Sequence, residues 1–207
     1  VKKVTIPSFI EIIQSYAFEY CEHLQEIEIP SDSKLRIIED NAFYLTAIES
    51  INIPPHLTQI NEHAFHCCEK LKKVEIPINS ELHLIGKKAF ALTMIEKILI
   101  PSNLVELKEK WCCSTPNLKR FTVMENNHRY INYENKFILG KSNPESKDYD
   151  LLVFARRDIE FASIPSYIKQ IDSCAFSDCS NLRRVEIPTN SELRIIGEQA
   201  FSNSSIE

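Results

Sequence analysis

The chain has 207 residues, 43% hydrophobic and 26% charged, with a net charge of -5. That suits one folded domain or one stretch of a repeat array, and it gives no electrostatic reason to expect nucleic acid or an anionic membrane as partner. Gly86, Gly140 and Gly197 are the only glycines, too dispersed for a phosphate-binding loop or a dinucleotide fingerprint, and no apolar run approaches the roughly 20 residues that span a bilayer.

Read from the start, the chain repeats one phrase. "VTIP", "IEIP", "INIP", "VEIP" and "ILIP" end at Pro7, Pro30, Pro54, Pro77 and Pro101, and "ASIP" and "VEIP" end at Pro165 and Pro188. The first five prolines are 23 or 24 residues apart, as are the last two. A second marker, Ala-Phe, follows at Phe18, Phe43, Phe65, Phe90, Phe176 and Phe201. A period in the low twenties falls in the leucine-rich repeat range.

Each unit has a physical reading. "LQEIEIP" (24–30), "LKKVEIP" (71–77) and "LRRVEIP" (182–188) share L-x-x-I-x-I-P, where apolar and polar residues alternate as in a short half-buried strand. Proline, lacking an N–H, ends it. A second phrase, such as "LRII" (35–38) or "LTQI" (57–60), adds two inward anchors. Ala-Phe then precedes the return to the next strand, and the Phe side chains should stack through the coil interior. Units with Phe-x-x-Cys-x-x-Leu alternate with units carrying an extra Ser or Asn ("SDSKL", "INSEL", "TNSEL"), so the true period is a pair of about 47 residues. One coil cannot bury its own apolar face, so stacked neighbours must supply the core. The expected class is α/β: a leucine-rich repeat solenoid of about eight short repeats, strand-rich with short helical turns, in one array over 1–207.

Two places break the pattern. In "KWCCSTPNL" (110–118), Trp111 and Cys112 stand where Ala-Phe is expected. From 124 to 163 the repeat is irregular: "KFILG" and "DLLVFA" flank a polar, turn-rich "KSNPESKDYD", which predicts an inserted β-hairpin projecting from or extending one coil. Interrupting loops are common sites of function.

L-x-x-I-x-I-P followed by L-x-x-I-x-x-x-A-F-x-x-C resembles the BspA-like leucine-rich repeat of surface proteins in anaerobic bacteria and mucosal protists. The alternating units with "NSELRIIGEQAF" look closest to the protist set. The resemblance covers nearly the whole chain and implies a curved right-handed solenoid displayed at the cell surface or secreted. It implies a non-catalytic role: adhesion to host matrix, host cells or other microbes through protein ligands. No enzyme activity, catalytic residue, cofactor or metal follows from it. An intracellular or secreted scaffold for protein–protein assembly is the alternative.

"HAFHCCEKL" (63–71) raises a metal or thiol site, since His and Cys are metal ligands. The repeat explains most of it. Ala64-Phe65 is the core marker, and Cys68 holds the place three after Phe that Cys21 and Cys179 also hold and that Thr46, Thr93 and Ser204 fill elsewhere. His63 and His66 stand at places where other residues serve, and only Cys67 has no account in the pattern. Cysteines in successive Cys-bearing units lie two rungs apart, about 10 Å at ~4.8 Å per rung, beyond the ~7 Å Cα limit for a disulfide. Seven free thiols and no disulfide are therefore expected. Free thiols ordinarily suggest the cytosol, against the location the resemblance implies.

On the strand face, one outward column reads Glu26, Ser50, Lys73, Lys97, Arg120, Arg184; its neighbour reads Glu28, Asn52, Glu75, Leu99, Thr122, Glu186. Solenoid faces of this kind bind extended partners, although alternating charges also keep a sheet solvated. The candidate ligand-binding residues are Lys73, Glu75, Lys97, Leu99, Arg120, Thr122 and Arg184, on a face where aromatics look nearly absent. Asn203-Ser204-Ser205 is the single glycosylation sequon. The chain opens on a strand phrase and ends as another begins, so it reads as a fragment of a longer array whose open apolar ends favour end-to-end self-association, with no membrane contact within it.

Overall fold

The computed structural model describes residues 1–207 as a stack of eight coils. Coil 1 holds β1 (Lys3–Thr5) and β2 (Ile12–Ile13), coil 2 holds β3 (Glu26–Glu28) and β4 (Ile37–Ile38), and coil 3 holds β5 (Ser50–Asn52) and β6 (Gln59–Ile60). Coil 4 follows with β7 (Lys73–Glu75) and β8 (Leu84–Ile85), and coil 5 with β9 (Lys97–Ile100) and β10 (Glu106–Leu107). Coil 6 is larger: β11 (Arg120–Val123), β12 (Tyr130–Tyr133), β13 (Phe137–Gly140) and β14 (Leu151–Ala155). Coil 7 has β15 (Phe161–Ser163) and β16 (Gln170–Ile171), and coil 8 has β17 (Arg184–Glu186) and β18 (Ile195–Ile196).

Proline sets the first corner of the coil. In each of the seven Ile-Pro phrases the Pro carbonyl accepts the N–H three residues on, as in Ser33 to Pro30 and Ser80 to Pro77, both at 3.1 Å. The extra Ser of the longer units turns inward here, buried at Ser33 and Ser80 and half-buried at Ser191: the Oγ of Ser33, Ser80 and Ser191 accepts the N–H of Leu35, Leu82 and Leu193 at 3.1–3.2 Å. The side chain thus satisfies a donor that the added residue leaves without a ladder partner. The 47-residue pairing also appears in the first strand column. β1–β3, β5–β7 and β9–β11 pair in parallel, and one backbone bond joins each pair to the next: Glu49 to Gln25 and Glu96 to Lys72, both 3.2 Å.

No helix forms. The expected short helical turns, and with them the α/β class, give way to an all-β solenoid for a definite reason. In every coil but the sixth, the residue two before the Phe place and the residue two after it have positive φ, as in His63 (56°) and Cys67 (59°). The N–H groups of these two and of the Phe place point to the next coil: His63 to Lys87, Phe65 to Ala89 and Cys67 to Ala91, at 2.8–3.0 Å. A helix would turn those donors back onto its own carbonyls. Stacking claims them instead, and that offsets the roughly 1–2 kcal/mol that each left-handed residue costs.

The Phe side chains stack as expected. Ring centroids from Phe18 through Phe43 and Phe65 to Phe90 lie 5.2–5.4 Å apart with rings within 7° of parallel. They sit among the Leu and Ile anchors in a core of 34 buried residues. A second core of 14 residues surrounds Phe176 and Ile171.

Coil 6 divides the two cores. β12, β13 and β14 form an antiparallel sheet, with a tight turn at Glu134 and Asn135 in which both residues have positive φ. All of β13 and most of β14 are buried, so these strands form a partition within the stack. Ile138, Val153 and Phe154 join the first core; Phe137, Leu139, Leu152 and Ala155 join the second. Gly140 lies under Tyr130, where a Cβ would meet the ring at 3.0 Å.

The expectation of seven free thiols is overturned here. Cys113 and Cys174 form a disulfide across a Cα separation of 5.4 Å; Cys21, Cys67, Cys68, Cys112 and Cys179 are free. The rung count assumed that every coil makes a turn. In coil 6, Val153 to Ala155 run straight on as strand, and that coil reaches β15 with no residue of positive φ on its turn side. The turns of coils 5 and 7 therefore come close enough to be bridged.

Candidate functional site

The seven candidate residues all lie outward on the first strand column, because the L-x-x-I-x-I-P alternation sends the intervening Val or Ile inward. Pairing aligns Arg120 with Lys97 and Thr122 with Leu99, one rung apart. Five of the seven, Glu75, Lys97, Leu99, Arg120 and Thr122, line one shallow groove of about 260 Å³ whose floor includes Ile98 and Phe121. Lys73 joins this set through Glu75. Arg184 does not: it lies in coil 8, paired one rung from Phe161 of coil 7.

The charges are largely paired. Glu75 sits 3.1 Å from Lys97 and 3.5 Å from Lys73, and the Lys97 ammonium holds its carboxyl below the ordinary range. Arg120 reaches Glu96 at 3.7 Å with 71% of its side chain exposed, and Arg184 meets Glu186 at 2.9 Å. Exposed pairs of this kind contribute about 0–1 kcal/mol each to stability. The two Glu75 pairs hold the Lys73 and Lys97 side chains beside the groove.

Phe161 is a residue that the sequence reading missed. It is 40% exposed in the same column as Lys73 and Lys97, on a face where aromatics looked nearly absent. The signal was available: Phe161 stands four residues before Pro165, as Lys73, Lys97 and Arg184 stand before their prolines. It was overlooked because Ala162 takes the inward place that Val or Ile holds in the Ile-Pro strands of coils 2–5 and 8.

The His63–Cys68 segment takes its place in the turn ladder. His66 stacks on Tyr44 at 5.5 Å, and its Nδ1–H donates to the Ala91 carbonyl at 3.2 Å. Burial, reinforced by His63, pushes its pKa down to about 4, so the ring is neutral at neutral pH. The Cys68 thiol donates to the Phe43 carbonyl at 3.0 Å and lies 3.2 Å from Thr46 Oγ1; burial pushes its pKa up to about 11. A thiol held in that way is not a nucleophile at neutral pH. Cys67 occupies one of the positive-φ places and is half-buried. No group of three or more His, Cys, Asp or Glu side chains is arranged to hold a metal ion.

Parallel two-residue strands, a stacked Phe ladder and an outward column of exchangeable residues define a leucine-rich repeat solenoid, a fold that generally binds proteins. The family model for the BspA type leucine-rich repeat region matches residues 1–119 and 151–207 in six copies, and the chain belongs to that family. The family is typically non-catalytic. Among solved structures, the pneumococcal vaccine antigen PcpA is 30% identical with a TM-score of 0.88, covering 98% of this chain and 48% of that one. Two more share the fold. A leucine-rich repeat protein from Eubacterium ventriosum is 20% identical, covers 98% of this chain and 51% of its own, and has a TM-score of 0.83. A leucine rich cell surface protein from Faecalibacterium prausnitzii is 22% identical, covers 97% and 58%, and has a TM-score of 0.76. The chain spans about half the length of these structures. Among curated proteins, none matches it in sequence.

Proposed function

We propose that this array is a non-catalytic binding module outside the cell, recognising host matrix, host-cell or microbial surface proteins through the strand face around Lys97 and Arg120. The observation that carries the reading is the groove, where the basic side chains and the half-buried Leu99 of adjacent rungs meet over an apolar floor. Basic heads on apolar stems suit an extended acidic segment of a partner protein, and Phe161 offers an aromatic anchor on the same column. Membership of a repeat family with a vaccine antigen among its structural neighbours supports the location. The Cys113–Cys174 disulfide supports it too, since such bonds persist in oxidising compartments. The same bond weighs against an intracellular scaffold.

The test is a binding screen against matrix proteins and against intact host and microbial cells. Wild type is compared with Lys97→Glu/Arg120→Glu and with Phe161→Ala. At least a tenfold loss in the charge-reversed variant supports the strand face, and unchanged binding in both variants moves the site elsewhere. Labelling of intact cells addresses location; a protein labelled only after lysis would sink the surface reading.

A further inference from the structure

Two backbone ladders run along the stack, the second strand column and the turn side, and both are interrupted where coil 5 meets coil 6. The second strand column ends at β10 and restarts at β12 without a strand pair between them. The first column, paired two coils at a time throughout, passes from β11 to β15 with one backbone bond, from the Arg157 N–H to the Leu118 carbonyl. On the turn side, the N–H groups of Lys110, Cys112 and Ser114, at the places that bond to the next coil elsewhere, have no backbone acceptor. The ladder resumes in coil 7, where Cys174, Phe176 and Asp178 donate to Glu198, Ala200 and Ser202 at 2.7–3.1 Å. The break also coincides with the boundary between the two cores.

Backbone crosses the turn-side break where the Ala155 N–H donates to the Ala175 carbonyl at 2.9 Å and the Arg157 N–H to the Leu118 carbonyl at 3.2 Å; the other links are side chain. The disulfide joins coil 5 to coil 7, and the Lys110 ammonium, with 11% of its side chain exposed, reaches Glu198 of coil 8 at 2.8 Å. The guanidinium of Arg157, 1% exposed, fills the space of the missing turn. Its Nη1 donates to the carbonyls of Ala175 at 2.8 Å and Ala155 at 3.3 Å, and its Nη2 to that of Cys174 at 3.4 Å. Arg157 lies 4.4 Å over the Phe154 ring, has no carboxylate partner, and leaves its Nε without an acceptor. A buried cation held by carbonyls depends on those carbonyls staying in place, and two of the three belong to the segment that the disulfide anchors.

We infer that coil 6 is a joint between two blocks, coils 1–5 and coils 7–8, and that the Cys113–Cys174 disulfide is its redox-sensitive fastening. A thiol reductant supplies the chemistry. Its thiolate attacks the Sγ of Cys113, which is half-buried while Cys174 is 3% exposed, and the S–S bond breaks with the electron pair leaving on Cys174, which takes a proton from water. A second thiol resolves the mixed disulfide, so two cysteine thiols form and the reductant leaves as its own disulfide. With the fastening open, the turn-side gap keeps the two backbone bonds of Ala155 and Arg157, the Lys110–Glu198 pair and the carbonyl cage of Arg157. The joint operates whatever the strand face binds.

The test is amide hydrogen exchange on the folded chain with and without dithiothreitol, beside Cys113→Ser/Cys174→Ser. On reduction, exchange at Trp111, Cys113, Ala155 and Arg157 should rise at least tenfold while His63, Phe65 and Cys67 keep their rates. The double variant should match the reduced protein and no longer respond to dithiothreitol. If that variant does not fold, reduction of wild type after folding still decides the matter. Exchange that rises equally in all coils, or nowhere, overturns the joint. Alkylation under denaturing conditions gives a second reading: five modified cysteines before reduction and seven after are expected, and seven before reduction would exclude the fastening.

Discussion

Coil 3 meets coil 4, and the β12 side of coil 6 meets coil 5, by different means. Coil 3 uses backbone: Ser50, Ile51 and Asn52 pair with Lys73, Val74 and Glu75, Gln59 and Ile60 pair with Leu84 and Ile85, and three turn N–H groups cross to coil 4. Coil 6 pairs by backbone with coil 5 at β9–β11 and with coil 7 at β14–β16, but where β12 faces β10 side chains take over. Asn127 Nδ2 donates to the carbonyls of Pro101 and Leu104 at 2.7 and 2.9 Å, and the Tyr130 hydroxyl accepts the Leu107 N–H at 2.8 Å. The disulfide and Arg157 cover the turn side. A backbone ladder demands only repetition and tolerates many residue types at each outward place. A junction closed by side chains depends on particular groups and is correspondingly sensitive to single changes.

The sharpest way to probe this difference is to remove one group from each region. Phe65 is fully buried between two parallel rings, and Phe65→Ala should cost about 3–5 kcal/mol in urea unfolding, the largest effect expected of a single truncation. Asn127→Ala comes next. Its side chain also accepts the N–H groups of Arg129 and Tyr130 at 2.8 and 2.7 Å, so truncation orphans four buried or half-buried backbone groups and should cost about 2–4 kcal/mol. A neutral Asn127→Ala would break the contrast, because the junction would then not depend on this side chain.

The third prediction concerns pH. His66 has a folded pKa of about 4 against an ordinary 6.5, so the unfolded chain binds its proton more readily. Its contribution is fully present above pH 6.5 and is lost as pH falls toward 4. Discounted for partial exposure, the loss should be about 1–2 kcal/mol. His66→Gln should flatten the stability–pH profile across that window, and an unchanged slope would count against the burial of the ring. Last, Tyr130→Phe removes the acceptor of the Leu107 N–H and should cost about 1 kcal/mol. The effect should concentrate at the β10–β12 gap, seen as faster exchange of that one amide.

Much of the regular region was legible from residue spacing. Pro7 to Pro101 and Phe18 to Phe90 recur with the coil, and a large apolar group at one place in every coil has to stack. The Ser of "SDSKL" was visible as an insertion, whereas its buried hydroxyl capping Leu35 was not, because a single spacing is compatible with an exposed or an inward Ser. The positive-φ places were hidden for a related reason. They are occupied by Tyr16, Asn41, His63, Lys88 and Cys174, without the glycine or consistent asparagine that advertises such a conformation. On the strand face, the register of Lys97 and Arg120 followed from alternation, and Phe161 was lost because Ala162 replaces the inward Val or Ile of its strand.

By itself, then, the sequence determined the coil length, the inward and outward faces, the Phe stack and the repeat family, because each depends on residue type recurring at a fixed interval. Only the tertiary structure decided how the turn side is built, whether Cys113 meets Cys174, and that coil 6 forms a partition inside the stack. Those outcomes depend on what lies on the neighbouring rung. In a solenoid the neighbouring rung is more than twenty residues away in sequence, and at coil 6 the interval that would have located it is broken.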